Sequence, residues 1–239
     1  MPRVETYRLL GSTNDRAAAL GREEGPRPAV VLSEEQTAGR GRRGTAWQSA
    51  PGVGIWMSVL LGPEARSPQL PLVVGVACAR AIERTAQPGL PVCIKWPNDL
   101  QLGGRKVGGI LCESGPYGVV VGIGLNVAPP REGFASEVDT RATTLEAHAR
   151  KVLQRRALAG EILRELLEVT SRPDPFDAVR SELARRDALA GRRVDTDGRG
   201  SGIARGIDEE GALLLEREDG SLLTVASGSV RLAAGSVAD

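Results

Sequence analysis

Apolar residues are distributed in two different ways along the chain, and the distribution changes near residue 190. Before that point, short apolar runs bounded by Gly, Pro, Asn or Asp alternate with longer stretches in which apolar positions recur at helical spacing. The short runs are typical of strands, because β-branched and aromatic side chains fit a pleated surface and the bounding residues favour turns. They predict strands at residues 29–32, 54–61, 92–96, 106–112 and 117–123.

The longer stretches predict helices. A mostly apolar helix at residues 69–85 is suited to lie against a sheet, and amphipathic helices with solvated Arg/Glu faces are expected at residues 152–169 and 176–186. Residues 12–15 (Ser-Thr-Asn-Asp) are good N-caps for an alanine-rich helix, which ends at residues 25–28 (Gly-Pro-Arg-Pro).

Short turns between successive strands decide the fold class. Residues 113–116 (Glu-Ser-Gly-Pro) and the pair Gly103-Gly104 are tight connections, which join antiparallel neighbours. We therefore expect an α+β fold with a mixed, largely antiparallel sheet flanked by helices, and not a doubly wound one. From residue 191 onward, brief apolar runs separated by Gly/Asp turns predict a small β-barrel that packs on the main unit. On this basis the chain divides into residues 1–188 and 189–239, and residues 129–144 form a surface loop.

Composition and charge limit the classes of function. Lys and Arg number 31 against 30 Asp and Glu, so the net charge is +1, and aromatic residues make up 3% of the chain. Both values disfavour a general nucleic-acid binder with stacking platforms. His148 is the single histidine, which disfavours zinc clusters and Ser-His-Asp chemistry, and its alanine neighbours predict an ordinary surface residue.

Cysteine usage and hydropathy indicate the compartment. Cys78, Cys93 and Cys112 are widely spaced in apolar surroundings, which predicts reduced, buried thiols. The N-terminus has no signal-like region, and the most apolar stretch, residues 70–82, is too short for a bilayer and contains Arg80. We expect a soluble, cytoplasmic protein without membrane association.

Residues 36–44 (Gln-Thr-Ala-Gly-Arg-Gly-Arg-Arg-Gly) place three arginines among three glycines directly after an apolar strand. Glycine allows positive φ and close approach of backbone N–H groups, and guanidinium groups supply fixed charge, so the segment suits an anion. It matches the dinucleotide fingerprint G-x-G-x-x-G literally, but residues 45–54 contain Pro51, Gly52 and Gly54 and cannot open the helix that the motif requires. Taken alone, the segment is equally compatible with a solvated surface loop.

Three further clusters carry candidate chemistry. Residues 95–99 (Lys-Trp-Pro-Asn-Asp) end a strand, residues 104–110 (Gly-Arg-Lys-Val-Gly-Gly-Ile) put a lysine before paired glycines, and residues 122–127 (Gly-Ile-Gly-Leu-Asn-Val) leave room for a planar group beside an asparagine. Each is also compatible with a strand-end turn, a solvated lysine or a plain strand.

The order of these motifs, beginning with Ser12-Thr13-Asn14, closely resembles the biotin protein ligase family over nearly the whole chain. The resemblance extends to residues 191–229, which look like the family's SH3-like barrel. Some bacterial members carry an N-terminal helix-turn-helix domain. Because the first motif begins at residue 12, we expect the ligase-only type and no DNA binding.

The resemblance implies that biotin and ATP are joined into biotinoyl-5′-AMP with loss of pyrophosphate, after which biotin is transferred to one lysine of the biotin carboxyl carrier domain of a carboxylase. It implies Mg²⁺ with ATP, and it is compatible with an edge-strand homodimer. The catalytic residues implied are Lys106, Arg40, Arg42 and Asp99. Those implied for biotin are Ser12, Thr13, Asn14, Gln36, Arg40, Gly41, Arg42, Lys106, Gly108 and Gly109. Those implied for the nucleotide are Arg40, Arg42, Arg43, Trp47, Lys95, Asn98, Lys106 and Asn126, and no metal ligand is assigned.

In this scheme Lys106 contacts the reacting carboxylate and α-phosphate, while Asp99 orients or deprotonates the incoming lysine. A lipoate or octanoate ligase or transferase of related fold is the nearest enzymatic alternative. The sequence motif at residues 36–44 favours a biotin ligase over it. A regulatory or RNA-binding module is the alternative from another class, and the near-zero net charge opposes it.

Overall fold

The structure, a computed structural model, describes residues 2–134, 141–149 and 151–233. Its larger sheet has seven strands in the order β1-β2-β3-β7-β6-β5-β4. β1 and β2 are parallel, and the other neighbours are antiparallel. The strands are β1 (Arg3–Tyr7), β2 (Ala29–Ser33), β3 (Gly54–Leu61), β4 (Cys93–Lys95), β5 (Asp99–Leu102), β6 (Arg105–Gly115) and β7 (Gly118–Asn126). The predicted α+β class, with a mixed and largely antiparallel sheet, is confirmed.

Helices cover both faces of this sheet. They are α1 (Thr13–Glu24), α2 (Leu70–Thr85), α3 (Leu145–Ala149), α4 (Arg155–Thr170) and α5 (Asp177–Arg186). Ala17 and Leu20 of α1 pack in a small apolar cluster on one face, whereas α2 and α4 contribute to a much larger cluster on the other. All eight residues of β3 are buried, which explains why central strands are continuous apolar runs in the sequence. Among the described residues, none of the helices is long and apolar enough to cross a membrane.

Several element boundaries differ from the predicted ones. The sequence pattern missed β1, because this edge strand is half exposed and has no apolar run. The predicted strand at residues 92–96 is shorter and is followed by a separate strand, β5, which the pattern also missed. Tyr117 lies in the β6–β7 turn, and not in the second strand as predicted. α4 begins three residues later than predicted, because Val152 is 81% exposed and contributes nothing to the apolar face.

The predicted surface loop at residues 129–144 is wrong at its C-terminal end. Lys106 donates its backbone N–H to Arg141 O at 2.7 Å, and the next residues are buried against the start of β6. His148 is half-buried rather than an ordinary surface residue, and its Nε2 lies 3.0 Å from Thr143 Oγ1. Residues 135–140 of the predicted loop lie outside the described residues.

A smaller sheet of five antiparallel strands follows, in the order β11-β10-β9-β8-β12. Its strands are β8 (Arg193–Thr196), β9 (Gly200–Ile207), β10 (Leu213–Glu216), β11 (Leu222–Val225) and β12 (Val230–Leu232). Its apolar side chains, among them Val194 and Leu213, belong to the same large cluster as α2 and β6. Trp96 Nε1 donates to Gly211 O at 3.0 Å. The small sheet therefore packs on the main unit as predicted, and the division at residue 188 stays a prediction.

The three cysteines are free thiols. Burial raises the pKa of Cys78 and of Cys112 to about 12. Burial also raises the pKa of Cys93, with a smaller opposing effect from Arg186. Cys78 is buried as predicted, whereas Cys93 and Cys112 are only partly buried. A thiol with a raised pKa is a poor nucleophile, which disfavours a catalytic role for these residues.

A carboxylate on β1 makes the stability of the fold dependent on pH. Glu5 Oε2 accepts from Arg16 Nε at 2.7 Å and from Tyr7 Oη at 2.6 Å, and hydrogen bonding to Arg16 lowers the Glu5 pKa from 4.5 to about 2. A depressed folded-state pKa adds stability above pH 4.5, and this contribution is lost as the pH falls towards 2. We expect Glu5→Gln to lower the free energy of unfolding by about 2 kcal/mol at pH 7. This value is smaller than the full pKa shift would give, because the edge strand is near solvent, which screens the ion pair. Below pH 2 the substitution should have almost no effect, because the wild-type carboxylate is then largely protonated.

Urea unfolding of wild type and variant across this pH range tests the expectation. Glu218→Gln is the control, because Glu218 also pairs with an arginine but is 81% exposed. A Glu5→Gln effect that is constant with pH would contradict the assignment.

Candidate active site

Residues 36–47, called the Gly/Arg loop below, join β2 to β3 and fold back on themselves. Gly41 N donates to Thr45 O at 2.7 Å, and Trp47 N donates to Gly39 O at 2.9 Å. Arg43 adopts a left-handed conformation with φ 56°, followed by Gly44 with φ 73°. At Gly39 a Cβ would lie 2.7 Å from Trp47 O, so the turn excludes larger residues there. The loop is thus a compact flap, and its role in binding an anion stays a prediction.

Polar side chains from α1, the Gly/Arg loop and β3 meet in a row beneath this flap. Gln36 Oε1 accepts from Thr13 N at 2.8 Å and from Thr13 Oγ1 at 3.0 Å. Ser58 Oγ lies 2.7 Å from Thr13 Oγ1 and 2.6 Å from Asn14 Oδ1. We call Thr13, Asn14, Gln36 and Ser58 the polar row. Ser12 is 5% exposed beside it.

The structure therefore brings the predicted biotin-contacting residues at positions 12–14 and 36 together. Ser58 was missed by the sequence-based prediction, although a lone hydroxyl at the centre of an apolar strand is a usable signal. Gly122 pairs with Ser58 across β3 and β7, and a Cβ at Gly122 would lie 2.3 Å from Asn14 Oδ1. Glycine at this position makes room for the row.

Arg40 points towards α1 and β6. Its Nη1 and Nη2 form a fork on the Asp15 carboxylate at 3.0 and 2.7 Å, and Nη2 also donates to Glu113 Oε2 at 3.0 Å. Hydrogen bonding to Asp15 raises the Arg40 pKa, so the side chain is a permanent cation. Glu113 was also missed by the sequence-based prediction.

Arg42 and Arg43 point away from Arg40 and towards the smaller sheet. Arg42 Nη1 donates to Gly228 O at 2.9 Å, and Arg43 Nη1 pairs with Asp197 Oδ2 at 2.5 Å. Burial lowers the Arg42 pKa, with a further contribution from the charge of Arg43 and opposition from Asp99. In this arrangement each of the Arg40, Arg42 and Arg43 guanidinium groups is held by a different set of partners. Their roles with ligand stay predictions.

Lys106 lies at the centre of the site. Its Nζ is 2.6 Å from Asp99 Oδ1 and 5.0 Å from the centre of the Trp47 ring. Gly109 and Gly124 are paired across β6 and β7 and form a flat floor beneath that ring. A Cβ would lie 3.2 Å from Trp47 Cζ3 at Gly109 and 2.7 Å from Trp47 Cε2 at Gly124. Two glycines thus admit a planar group over the sheet, and the buried Trp47 Nε1 has no hydrogen-bond partner among the described residues.

Charged groups from several elements act on Lys95. Burial lowers the pKa of Lys95, and the charges of Lys106, Arg231 and Arg141 lower it further, whereas Asp99 raises it. Arg231 lies on β12 of the smaller sheet and was not predicted as a site residue. Several cations thus lie within electrostatic range of Lys95 and Lys106, an arrangement that suits a polyphosphate.

Two residues that are predicted to contact the nucleotide make hydrogen bonds to backbone carbonyls in this structure, and their roles with nucleotide stay predictions. Asn98 Nδ2 donates to Ile110 O at 2.6 Å, which fixes the turn before β5. Asn126 Nδ2 donates to Thr143 O at 3.3 Å. A Cβ at Gly108 would lie 2.4 Å from Leu125 Cδ2, so this glycine serves packing within the sheet. No group of three His, Cys, Asp or Glu side chains that could hold a metal ion occurs in the described part of the chain.

Family models match most of this architecture. The model described as "Biotin/lipoate A/B protein ligase family" matches residues 7–127, and "Biotin protein ligase C terminal domain" matches residues 193–232.

Individual proteins are similar over most of the length of this chain. A Mycobacterium tuberculosis protein named "Biotin--[acetyl-CoA-carboxylase] ligase" is 33% identical, over 95% of this chain and 88% of its own length. The Bacillus subtilis "Bifunctional ligase/repressor BirA" is 35% identical, over 89% of this chain and 69% of its own length. The structure of the biotin protein ligase from Aquifex aeolicus in complex with biotin and ATP superimposes with a TM-score of 0.86 at 29% identity, covering 98% of this chain and 100% of that one.

Proposed function

Since this chain belongs to the biotin/lipoate A/B protein ligase family, we propose that it activates biotin with ATP and transfers it to a lysine of a carboxylase carrier domain. The protein is a biotin protein ligase. The observation that supports the function best is its similarity over 98% of its length to a ligase structure that contains biotin and ATP, together with its own polar row and cation cluster. The residue roles below are part of the proposal.

In the first step, a biotin carboxylate oxygen attacks the α-phosphorus of ATP, and the bond to the bridging oxygen breaks to release pyrophosphate. Two anions must meet, so the step needs fixed positive charge. Lys106 supplies it at the reacting atoms once its ammonium leaves Asp99, with which it pairs at 2.6 Å in this structure. Lys95 and Arg231 provide charge for the departing pyrophosphate.

Magnesium is proposed to enter with ATP, because Asp99, the carboxylate beside Lys106, is already paired with that lysine, so phosphate oxygens would supply most of the ligands of the ion. When bound, the ion neutralises negative charge on the triphosphate.

In the second step, the amine of the acceptor lysine attacks the acyl carbon of the mixed anhydride, and AMP leaves. The amine must be neutral to attack, and its proton must be accepted as the bond forms. Asp99 is the carboxylate beside Lys106 and is proposed to orient that amine and to accept its proton. The carrier domain and the cytoplasm, where ATP is available, are the proposed partner and location.

The test is pyrophosphate exchange into ATP in the presence of Mg²⁺ and biotin, followed by labelling of a purified carrier domain. We expect exchange with biotin and none when biotin is omitted or replaced by lipoate. Exchange with lipoate alone would move the protein to the lipoate branch of the family, and no exchange with either acid would overturn the proposal.

A further inference from the structure

Glu113 on β6 faces two parts of the site with one carboxylate. Its Oε2 accepts from Asn14 Nδ2 at 2.6 Å and from Arg40 Nη2 at 3.0 Å, while Oε1 accepts from Arg40 Nε at 3.2 Å. Asn14 is 5% exposed and belongs to the polar row, whereas Arg40 belongs to the Gly/Arg loop. Glu113 therefore connects the row beneath the flap to the flap itself.

The carboxylate of Glu113 sets the direction of hydrogen bonds in the row. An ionised carboxylate accepts and does not donate, so the Asn14 amide must turn its NH₂ group to Glu113 and its oxygen to Ser58. Ser58 is fully buried and has one proton, which it gives to Asn14 Oδ1. The Thr13 hydroxyl must then donate to Ser58, because the 2.7 Å contact between the two hydroxyl oxygens needs a proton that Ser58 no longer has.

The row consequently ends in unfilled acceptors. The amide NH₂ groups of Asn14 and Gln36 donate out of the row, to Glu113 Oε2 at 2.6 Å and to Ser49 Oγ at 2.9 Å. The remaining donors are two hydroxyls and the Thr13 backbone N–H, and all three are used on Asn14, Ser58 and Gln36. Lone pairs remain at Thr13 Oγ1 and Gln36 Oε1, which suit a ligand that donates N–H groups. If Asn14 were reversed, Ser58 would accept from the amide and donate to Thr13, and the Thr13 hydroxyl would donate to Gln36, whose Oε1 would then have no lone pair left for a ligand.

We propose that Glu113 is a positioning residue that fixes the acceptor polarity of the biotin head-group site by orienting Asn14. This inference rests on the proposed function, because the ureido ring of biotin carries the N–H donors that the row would accept. Glu113 also holds Arg40, so the same carboxylate keeps the Gly/Arg loop in place over the row.

Glu113→Gln tests the proposal, because it keeps the shape and replaces one acceptor by a donor. We expect biotin to bind about 10- to 100-fold more weakly by calorimetry, because a charge-assisted hydrogen bond is lost and the row can reverse. The rate of adenylate formation at saturating biotin should change by less than about threefold, since the reacting atoms lie at Lys106. A structural defect would lower both quantities and the melting temperature.

The control and the rescue make the test specific. Glu216→Gln removes a carboxylate of the same exposure, 39%, that also pairs with an arginine, and it should bind biotin like wild type. Asn14→Asp alone should weaken binding because two carboxylates would face each other at the present 2.6 Å contact. Combined with Glu113→Gln, it restores a donor facing an acceptor and should recover most of the affinity.

Equal biotin affinities of Glu113→Gln and wild type would overturn the inference while leaving the ligase function intact. The inference would also be overturned if the loss of binding free energy in the double variant equalled the sum of the losses in the two single variants. Failure of wild type to bind biotin would instead overturn the proposed function.

Discussion

Lys106→Met is expected to slow adenylate formation by about 10²- to 10³-fold, which corresponds to about 2.7–4 kcal/mol of lost transition-state stabilisation. Methionine keeps the apolar stem over the Trp47 ring but removes the ammonium that lies 2.6 Å from Asp99. The variant also leaves the Asp99 carboxylate unneutralised beside two reacting anions, which adds repulsion. Initial rates of pyrophosphate exchange at saturating biotin and ATP measure the effect.

Lys151→Met is the matched control, because Lys151 is exposed. Its exchange rate should equal that of wild type. A loss of less than about tenfold in Lys106→Met would mean that Lys106 does not contact the reacting atoms, since a donor in such a site is worth more.

Gly122→Ala is expected to abolish measurable biotin binding and to lower the free energy of unfolding by about 1–3 kcal/mol. The added methyl group would lie 2.3 Å from Asn14 Oδ1 and 3.0 Å from the other amide atoms, and Asn14 is held by Ser58 and Glu113 on both sides. Asn14 must therefore leave the polar row. Calorimetry with biotin and thermal unfolding measure the two effects separately.

Gly160→Ala serves as the control for this substitution. Gly160 lies on the exposed side of α4 with nothing within 4 Å of the new Cβ, so alanine should stabilise the helix by up to about 1 kcal/mol and leave biotin binding unchanged. Normal biotin affinity in Gly122→Ala would show that the polar row is not the head-group site.

The sequence predicted those elements whose burial leaves a clear pattern. β3 and β7 are central strands in which most residues are buried. β3 was predicted with its observed ends, whereas β7 was identified but ends at Asn126, three residues later than predicted. β1 was not identified, because an edge strand exposes half of its side chains and pairs through its backbone. Val152 shows the converse error, in which an apolar residue was assigned to a helix although it lies in solvent.

The order of the sequence motifs identified several residues of the candidate site. It did not predict the contacts that depend on the direction in which a side chain points. Ser12, Thr13 and Gln36 come together as the resemblance implied. In the structure Arg40 points to α1, whereas Arg42 points to the smaller sheet. The spacing of the arginines in the sequence does not predict these directions, because they depend on the folded backbone of the Gly/Arg loop, in which Arg43 has a left-handed φ of 56°. Ser58, Glu113 and Arg231 come from strands far apart in sequence, so their approach depends on sheet pairing and domain packing.

The shared apolar core has a practical consequence for shortening or splitting this enzyme. A chain cut near residue 190 would leave Val194 and Leu213 without their neighbours, expose the surface they cover, and deprive Arg42 and Arg43 of their anchors on Gly228 and Asp197. Foreign sequence is better inserted at the exposed turn Asp219-Gly220, which carries no core side chain and lies between two short strands. A tag or reporter inserted at that turn would keep both sheets, and the flap held between them, in one piece.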